Sequence, residues 1–180
     1  MKKQNVPPPR KPAQISIRKA TEGDLLMLGD YLFAQFRDIY PVQKNKPTST
    51  SWLSAQKKIL AEAVKRGTCL VAAASFSGSP LGYCVYTRES LIYVKQLAGN
   101  RIYDGKIEKL LLQKLATLGT QSNAFSMCAI LPRPHTASAD KPYHPKLALY
   151  QSLGFEFKLG SAGRLDKVVC NNLGKILSTA

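Results

Sequence analysis

The sequence is poor in acidic residues, which are outnumbered by basic ones, 11 to 26, for a net charge of +15. Such an excess of positive charge favours anionic partners: nucleotide-like cofactors, nucleic acid, acidic proteins or membrane surfaces. The alternative is a solvated basic surface, because the basic residues are spread along the chain rather than gathered in one block. The net charge therefore favours anionic partners but does not distinguish one class of them from another.

Cysteine and histidine are too few and too scattered for a metal or redox site. Four cysteines stand singly in or beside apolar segments, without the close pairing that zinc and redox sites need. They are Cys69, Cys84, Cys128 and Cys170. We expect reduced core residues; a catalytic cysteine is the less favoured alternative, because burial raises a thiol pKa. His135 and His144 do not have a zinc-helix spacing, so we predict no metal, although either could be a base or a substrate contact.

Long apolar segments are also missing. No run approaches transmembrane length, and the basic start at residues 1–3 is followed by polar, proline-rich residues 4–11 instead of the apolar part of a signal peptide. We therefore expect a cytoplasmic protein. Residues 1–13 are predicted to be a disordered basic arm, either a solubilising tail or a loose contact for an anionic partner. With 44% hydrophobic content, residues 14–180 are predicted to form a single domain.

Residues 89–118 are the centre of the predicted fold. Residues 90–97 are rich in β-branched and aromatic side chains and stop at residues 98–100, which predicts a central strand. Leucines and an isoleucine then recur at spacings of three and four up to Gly119, which predicts an amphipathic helix that stops at this glycine. Backbone N–H groups at a helix start favour anions, so the connection is a candidate phosphate site; the alternative is an ordinary strand-to-helix loop.

The remaining segments predict further strands and helices. Strands are expected at residues 14–18, 68–76, 81–86, 124–131, 155–159 and 166–170, and helices from about residue 24, over 51–65 and over 146–153. Thr21 and Asp24 form a variant of the capping box, and Trp52 is predicted to be a packing anchor. Residues 132–145, with four prolines, form a long loop of the functional or mobile kind. The order β-α-α-β-β-β-α-β-α-β-β implies a mixed, mostly antiparallel α/β sheet with helices on both faces.

Two segments carry a family resemblance that extends over about residues 14–172. ISIRKATEGDL at the first strand and helix, and ALYQSLGFEF at residues 148–157, resemble the first and the closing elements of the GNAT superfamily of N-acyltransferases. The resemblance implies an N-acetyltransferase that uses acetyl-CoA as co-substrate. Its acceptor would be a primary amine of a small molecule or a peptide.

In that family a loop of the type R-G-x-G-x-G/A binds the cofactor pyrophosphate. Aligned from the leucines backwards, this chain has YDGKIE there, with other residues at glycine positions and residues 98–102 as an insertion. A frame shifted by one residue keeps Gly105 and puts Ile107 at the last glycine. The cofactor contacts that the resemblance implies are Val94, Lys95, Leu97, Tyr103, Asp104, Gly105, Lys106, Ile107 and Glu108. We expect weakened binding, because Glu108 opposes the phosphates and Lys106 offsets it only in part.

Two further positions match catalytic residues of the family. ESLIYV at residues 89–94 resembles the phosphinothricin-acetyltransferase-like branch, in which a glutamate four residues before a strand tyrosine is the general base, which implies this role for Glu89. The alternative for Glu89 is a solvated carboxylate at a strand start. Tyr150 matches the helix tyrosine that donates a proton to the departing CoA thiolate; a hydrogen bond to the sulfur, or plain packing, are its alternatives.

Two functions of other classes stay open. A catalytically silent GNAT-like binding module would explain the loss of the loop glycines. A nucleic-acid-associated protein would explain the positive charge and the basic arm, although no aromatic-basic RNA motif occurs in the predicted strands.

Overall fold

The computed structural model describes residues 14–39, 50–131, 144, 146–158 and 166–179. Within them, seven strands form one sheet in the order β1-β2-β3-β4-β5-β7-β6. The strands are β1 (Ile15–Lys19), β2 (Cys69–Ala74), β3 (Pro80–Arg88), β4 (Ile92–Gly99), β5 (Met127–Leu131), β6 (Glu156–Lys158) and β7 (Asp166–Cys170). The helices are α1 (Leu25–Ile39), α2 (Thr50–Lys65), α3 (Lys106–Thr120), α4 (Leu147–Ser152) and α5 (Leu173–Leu177).

The strand directions confirm the predicted mixed sheet. Neighbouring strands are antiparallel except for β4 and β5, which are parallel. The predicted order of elements holds, with α5 added at the end; this short helix was not predicted. The predicted arm at residues 1–13 and most of the predicted loop at residues 132–145, including His135, lie outside the described residues.

Each face of the sheet has its own hydrophobic core. Helices α3, α4 and α5 pack on one face, and α1 and α2 pack on the other. Strand β2 shows why its sequence is continuously apolar: Leu70 and Ala72 enter the first core, whereas Val71 and Ala73 enter the second. Successive strand side chains point to opposite faces, so a strand covered on both faces has no polar positions.

Local contacts before the first helix agree with the sequence. The Thr21 N–H donates to Asp24 Oδ2 (2.8 Å), which is half of the predicted capping box. Arg18 donates to both oxygens of Asp24 (2.7 and 2.8 Å), and this pairing lowers the pKa of Asp24 to about 2. Trp52 stacks on the buried Phe36 with ring centroids 5.0 Å apart, as expected of a packing anchor.

Gly119 has a different role from the one predicted. It lies inside α3 instead of ending it, and it is buried. A Cβ at this position would lie 2.6 Å from Cδ1 of Ile92 and 2.6 Å from Cδ1 of Leu173. The glycine therefore lets α3 approach both β4 and α5 closely. Across the described ranges, no helix combines the length and the apolarity needed to cross a membrane.

Candidate active site

Strands β4 and β5 separate part-way along their length. They pair only at Ile92–Met127, Tyr93–Cys128 and Val94–Ala129. Beyond Val94, residues 96–99 of β4 stay paired with β3, while β5 stays paired with β7. The element order and the loop at residues 98–105 predict that these two strands separate, and the pairing confirms this. Among the described residues, one edge of β4 has no strand partner from Lys95 onward. We call this place the split.

A β-bulge marks the split. Val85 of β3 is opposite Gln96, and Tyr86 is opposite Val94, so Lys95 is an extra residue without a partner on β3. The buried Gln96 then donates to the backbone oxygen (3.0 Å) and the side-chain oxygen (2.7 Å) of Gln56 on α2. Bulges redirect side chains and are common beside active sites. The hydrogen bonds of Gln96, which were not foreseen from the sequence, hold β4 against α2 just past the bulge.

Two paired glycines bring the start of α3 onto the end of β4. Gly82 of β3 is opposite Gly99 of β4. A Cβ on Gly82 would lie 2.6 Å from the Ala98 carbonyl oxygen, and a Cβ on Gly99 would overlap Oε2 of Glu108. Only glycine at both places allows this approach. Ile107, predicted as a cofactor contact, is fully buried here and packs on Gly82.

The connection between β4 and α3 is more ordered than a simple insertion. Gly99 still belongs to β4, and Asn100 caps a single 3-10 turn, Arg101–Tyr103, through its side-chain oxygen. Asp104 (φ 43°) and Gly105 (φ 76°) then adopt consecutive left-handed conformations before α3 begins. The first helix-type hydrogen bond runs from Lys109 N–H to the Gly105 oxygen (2.9 Å). The N–H groups of the first helical turn therefore have no acceptor within the helix, as in anion sites.

The charge of Glu108 is neutralised by a residue that the sequence did not indicate. Lys146 Nζ lies 2.6 Å from Glu108 Oε1, and both side chains are largely buried, with 16% and 9% exposed. In the described part of the chain, the buried Oε2 of Glu108 has no hydrogen-bond partner. Lys106, which was expected to compensate Glu108, is exposed. The compensation thus comes from the residue preceding α4.

A cleft of about 950 Å³ opens where β4 ends. Its walls come from the second half of α1, the end of β4, the start of α3 and α4; they are Tyr31, Ala34, Gln35, Arg37, Ala98, Gly99, Asn100, Arg101, Asp104, Gly105, Glu108, Lys146, Ala148, Leu149 and Ser152. Arg101 Nη2 donates to the Ala34 oxygen (3.4 Å), which ties the 3-10 turn to α1. We call this cavity the β4-end cleft. It combines cationic side chains with the exposed start of a long helix.

Tyr150 of α4 is buried next to the split. Its ring contacts Phe155 edge to face, with centroids 5.1 Å apart. Burial raises the pKa of Tyr150 well above its ordinary value, and nearby Cys84, Glu108 and Cys128 raise it further. Cys128 belongs to the part of β5 that pairs with β4, which places the phenol near the split. The phenol is therefore protonated at neutral pH, so it can donate a hydrogen bond but cannot act as a base there.

The structure does not bring Glu89 to Tyr150. Glu89 is exposed in the turn between β3 and β4, where its N–H donates to the Leu91 oxygen (3.1 Å). Among the described residues, no side chain pairs with its carboxylate. Its predicted role as base stays a prediction.

His144 is largely buried beside the ion pair. The Lys146 N–H donates to Nδ1 of His144 (3.2 Å). Nε2 of His144 is buried and has no hydrogen-bond partner among the residues that the structure describes. Burial, together with the charge of Lys146, lowers the pKa of His144 to about 4. The ring is therefore neutral at pH 7.

The four cysteines are buried and free of disulfides, as predicted. Burial raises the pKa of Cys69 to about 12 and raises those of Cys84 and Cys128 as well. A thiol held in its protonated form is a weak nucleophile, which disfavours these three as catalytic cysteines. In the described part of the chain, no three His, Cys, Asp or Glu side chains gather as a metal site would require.

Comparison with solved structures shows which known fold the chain has. The chain aligns with PaiA N-acetyltransferase of Thermoplasma acidophilum, solved in complex with coenzyme A, at a TM-score of 0.69 and 17% identity, over 88% of this chain and 99% of that one. The fold is that of the GNAT acetyltransferases. A Drosophila melanogaster polyamine N-acetyltransferase that forms N-acetylagmatine aligns at 0.59 and 15% identity, over 88% and 100%. A GNAT-family acetyltransferase of Listeria monocytogenes aligns at 0.56 and 14% identity, over 87% and 94%.

At the level of sequence, no protein-family model matches the chain, and no curated protein matches it. The GNAT resemblance of the first and closing elements is thus confirmed by the fold. The neighbouring structures do not single out the phosphinothricin-type branch, which stays a prediction.

Proposed function

We propose that the chain is an acetyl-CoA-dependent N-acetyltransferase that acetylates a primary amine. The observation that carries this proposal is the split between β4 and β5, with the buried, protonated Tyr150 beside it. A strand edge left unpaired inside a sheet can accept an extended ligand through backbone hydrogen bonds. The pantetheine chain of acetyl-CoA has amide groups suited to such an edge.

Residues along β4 and at the start of α3 fit this co-substrate. We assign the pantetheine to the β4 backbone from Val94 through Lys95 and Leu97. The pyrophosphate is assigned to the first-turn N–H groups of α3, where the left-handed Asp104 and Gly105 open the approach and Lys106 adds exposed positive charge. Glu108 does not oppose this assignment strongly, because Lys146 neutralises it.

Tyr150 is proposed to stabilise the leaving thiolate through a hydrogen bond. As the amine attacks, a C–N bond forms and the C–S bond breaks, leaving negative charge on sulfur. An ordinary thiol has a pKa near 8.5, whereas that of Tyr150 lies well above 10. Full proton transfer from the phenol would therefore be uphill by at least about 2 kcal/mol. Hydrogen-bond donation is the role that this difference favours, and the thiolate takes its proton from solvent.

The attacking amine must lose a proton to a base, and we retain Glu89 for this role. Glu89 lies five residues before Val94, on the order of 10 Å or more from the split along the strand. It can act only through ordered water, since direct proton transfer needs hydrogen-bond contact. A second candidate is Glu62 of α2, which shares a cavity with Lys95.

Calorimetric titration with acetyl-CoA, combined with an assay for CoA thiol release in the presence of amines, tests the proposal. Tyr150→Phe should lower kcat by about 10- to 100-fold, the loss of one hydrogen bond to a charged group. Replacing the base, Glu89→Gln or Glu62→Gln, should lower kcat about 100-fold and remove the acidic limb of the pH–rate profile, where the carboxylate becomes protonated. Glu156→Gln on β6 is the matched control. Absence of acetyl-CoA binding would refute the proposal.

The same measurements separate the competing functions. A silent GNAT-like module, suggested by the carboxylates of Asp104 and Glu108 near the phosphate site, would bind acetyl-CoA without releasing CoA for any amine. A nucleic-acid-binding protein would bind RNA with an affinity that falls steeply with salt and would ignore acetyl-CoA.

A further inference from the structure

A second cavity lies on the opposite face of β4 from Tyr150. It has a volume of about 570 Å³ and lies between α2 and the neighbouring strands β3 and β4. We call it the α2 groove. Its charged walls are Lys58, Glu62, Lys65, Arg66 and Lys95.

The α2 groove carries an excess of positive charge that the described residues do not neutralise. Glu62 is the sole carboxylate among its described walls, and it is already paired with Arg66 (2.7 Å). Lys58, Lys65 and Lys95 form no ion pair with any described residue. Such a groove repels cationic ligands and attracts anionic ones.

The α2 groove also reaches the split. Lys95 is the bulged residue at the point where β4 leaves β5, and its side chain lines the groove together with Tyr86, the partner of Val94. In the proposed enzyme the thioester lies at this point. A ligand in the groove therefore has one end at the thioester and the rest along three unpaired lysines.

The spacing of these lysines selects among anionic ligands. Lys58 and Lys65 are seven residues apart on α2, which is about 10 Å along the helix axis, and Lys95 faces them from β4. A compact amino acid has one carboxylate near its amine and reaches one lysine. In an extended peptide, residues advance by about 3.3 Å each, so carboxylates three residues apart are separated by about 10 Å and match this spacing. Nucleic acid also carries spaced charges but lacks an aliphatic amine to accept an acetyl group.

We propose that the acceptor is an acidic peptide, whose amine enters at Lys95 and whose carboxylates pair with Lys58 and Lys65. This inference rests on the proposed acetyltransferase function and names its substrate class. It sets this chain apart from a structural neighbour that forms N-acetylagmatine from a cationic amine.

The test compares short peptides that differ only in charge: one with glutamates at its second and fifth positions, one with glutamines and one with lysines there, plus agmatine. We expect kcat/KM for the acidic peptide to exceed that for the glutamine peptide at least tenfold. This ratio should fall about threefold or more with each of Lys58→Gln and Lys65→Gln, the two lysines that pair with the carboxylates. It should also shrink as salt rises, since the charges are exposed. Lys57→Gln, on the same helix but outside the groove, should leave the ratio unchanged.

A binding measurement separates failure of this inference from failure of the proposed function. Fluorescence anisotropy with the acidic peptide in N-acetylated form needs no turnover and should show binding that Lys58→Gln weakens. Equal or better use of the lysine peptide or agmatine would overturn the inference while acetyl transfer stands. Stronger binding of a single-stranded RNA oligonucleotide at the same lysines would overturn it in favour of nucleic acid. Peptide binding without acetyl-CoA binding would instead remove the acetyltransferase function and, with it, the acidic peptide as an acceptor.

Discussion

The two cavities that flank β4 differ in whether their charged side chains are paired within the protein. In the β4-end cleft the buried carboxylate of Glu108 is matched by Lys146, 38 residues away in sequence. In the α2 groove three exposed lysines have no described partner. Burial explains the difference, because an unpaired buried charge costs several kcal/mol, whereas an exposed one costs little. Internal pairing in the cleft serves the fold, and the unpaired charge of the groove remains available to a ligand.

The largest expected effect comes from breaking the buried pair. Lys146→Met leaves the Glu108 carboxylate buried without a cation, and we expect unfolding to become easier by about 3–5 kcal/mol. Urea denaturation followed by circular dichroism measures this loss. Adding Glu108→Leu should recover most of it, because an apolar pair needs no compensation.

The α2 groove supplies the control for this prediction. Lys58→Met removes a lysine of the same size that has no described ion pair, so stability should change by less than about 0.5 kcal/mol. Equal losses for Lys146→Met and Lys58→Met would contradict the contrast between the two cavities.

The next effect concerns the glycines that shape the β4-end cleft. Gly82→Ala would place a methyl group against the Ala98 carbonyl and Gly99 Cα, which are backbone atoms and cannot move aside. We expect a loss of about 3 kcal/mol in thermal or urea unfolding, the upper end for overpacking. Gly29→Ala in α1, where a Cβ meets nothing within 4 Å, should stabilise instead by up to about 1 kcal/mol.

A pH dependence of stability should follow from His144, next to the ion pair. Its pKa falls from an unfolded value near 6.5 to about 4, so the unfolded chain binds the proton more readily between these values. The free energy of unfolding is therefore highest above pH 6.5 and decreases as the pH falls toward 4. At pH 5 the decrease amounts to about 2 kcal/mol. His144→Asn should flatten this slope. An unchanged slope in His144→Asn would show that the ring is solvated in the folded protein.

The order of elements could be predicted from the sequence because it depends on local patterns. Alternation in β1, the three-and-four spacing in α3 and the turn residues after each strand act over a few neighbours. The split was predicted from the element order together with the loop at residues 98–105. Helix α5 was missed because its five residues are too few to show a period.

The charge distribution of the site could not be predicted in the same way. The partner of Glu108 depends on how α3 and α4 pack, and no local pattern connects it with Lys146. Gly99 was predicted to mark the end of a strand. Glycine is required there because the position faces Gly82 on β3 and packs against the side chain of Glu108. Gly119 was predicted to end the helix because the sequence alone does not show that Ile92 and Leu173 pack against this position and leave no room for a side chain.

The smallest effect tests whether the carboxylate of Glu108 still acts on a bound phosphate. From the sequence we expected Glu108 to weaken acetyl-CoA binding, and its neutralisation by Lys146 reduces that expectation without cancelling it. Glu108→Gln removes one negative charge near the start of α3 and frees Lys146, so acetyl-CoA should bind about tenfold more tightly, or about 1.4 kcal/mol. Calorimetry at low and high salt measures this gain, which should shrink with salt.

Asp104→Asn removes an exposed carboxylate from the same β4-end cleft and is the matched control for Glu108→Gln. Solvent screens Asp104, so its gain in affinity should be smaller than that of Glu108→Gln. Should Asp104→Asn give the larger gain, the phosphates would lie nearer the left-handed turn than the buried pair, and Lys146 would have only a structural role. Tighter binding in Glu108→Gln together with lower stability would instead show that one lysine serves the fold in the free protein and the phosphate in the complex.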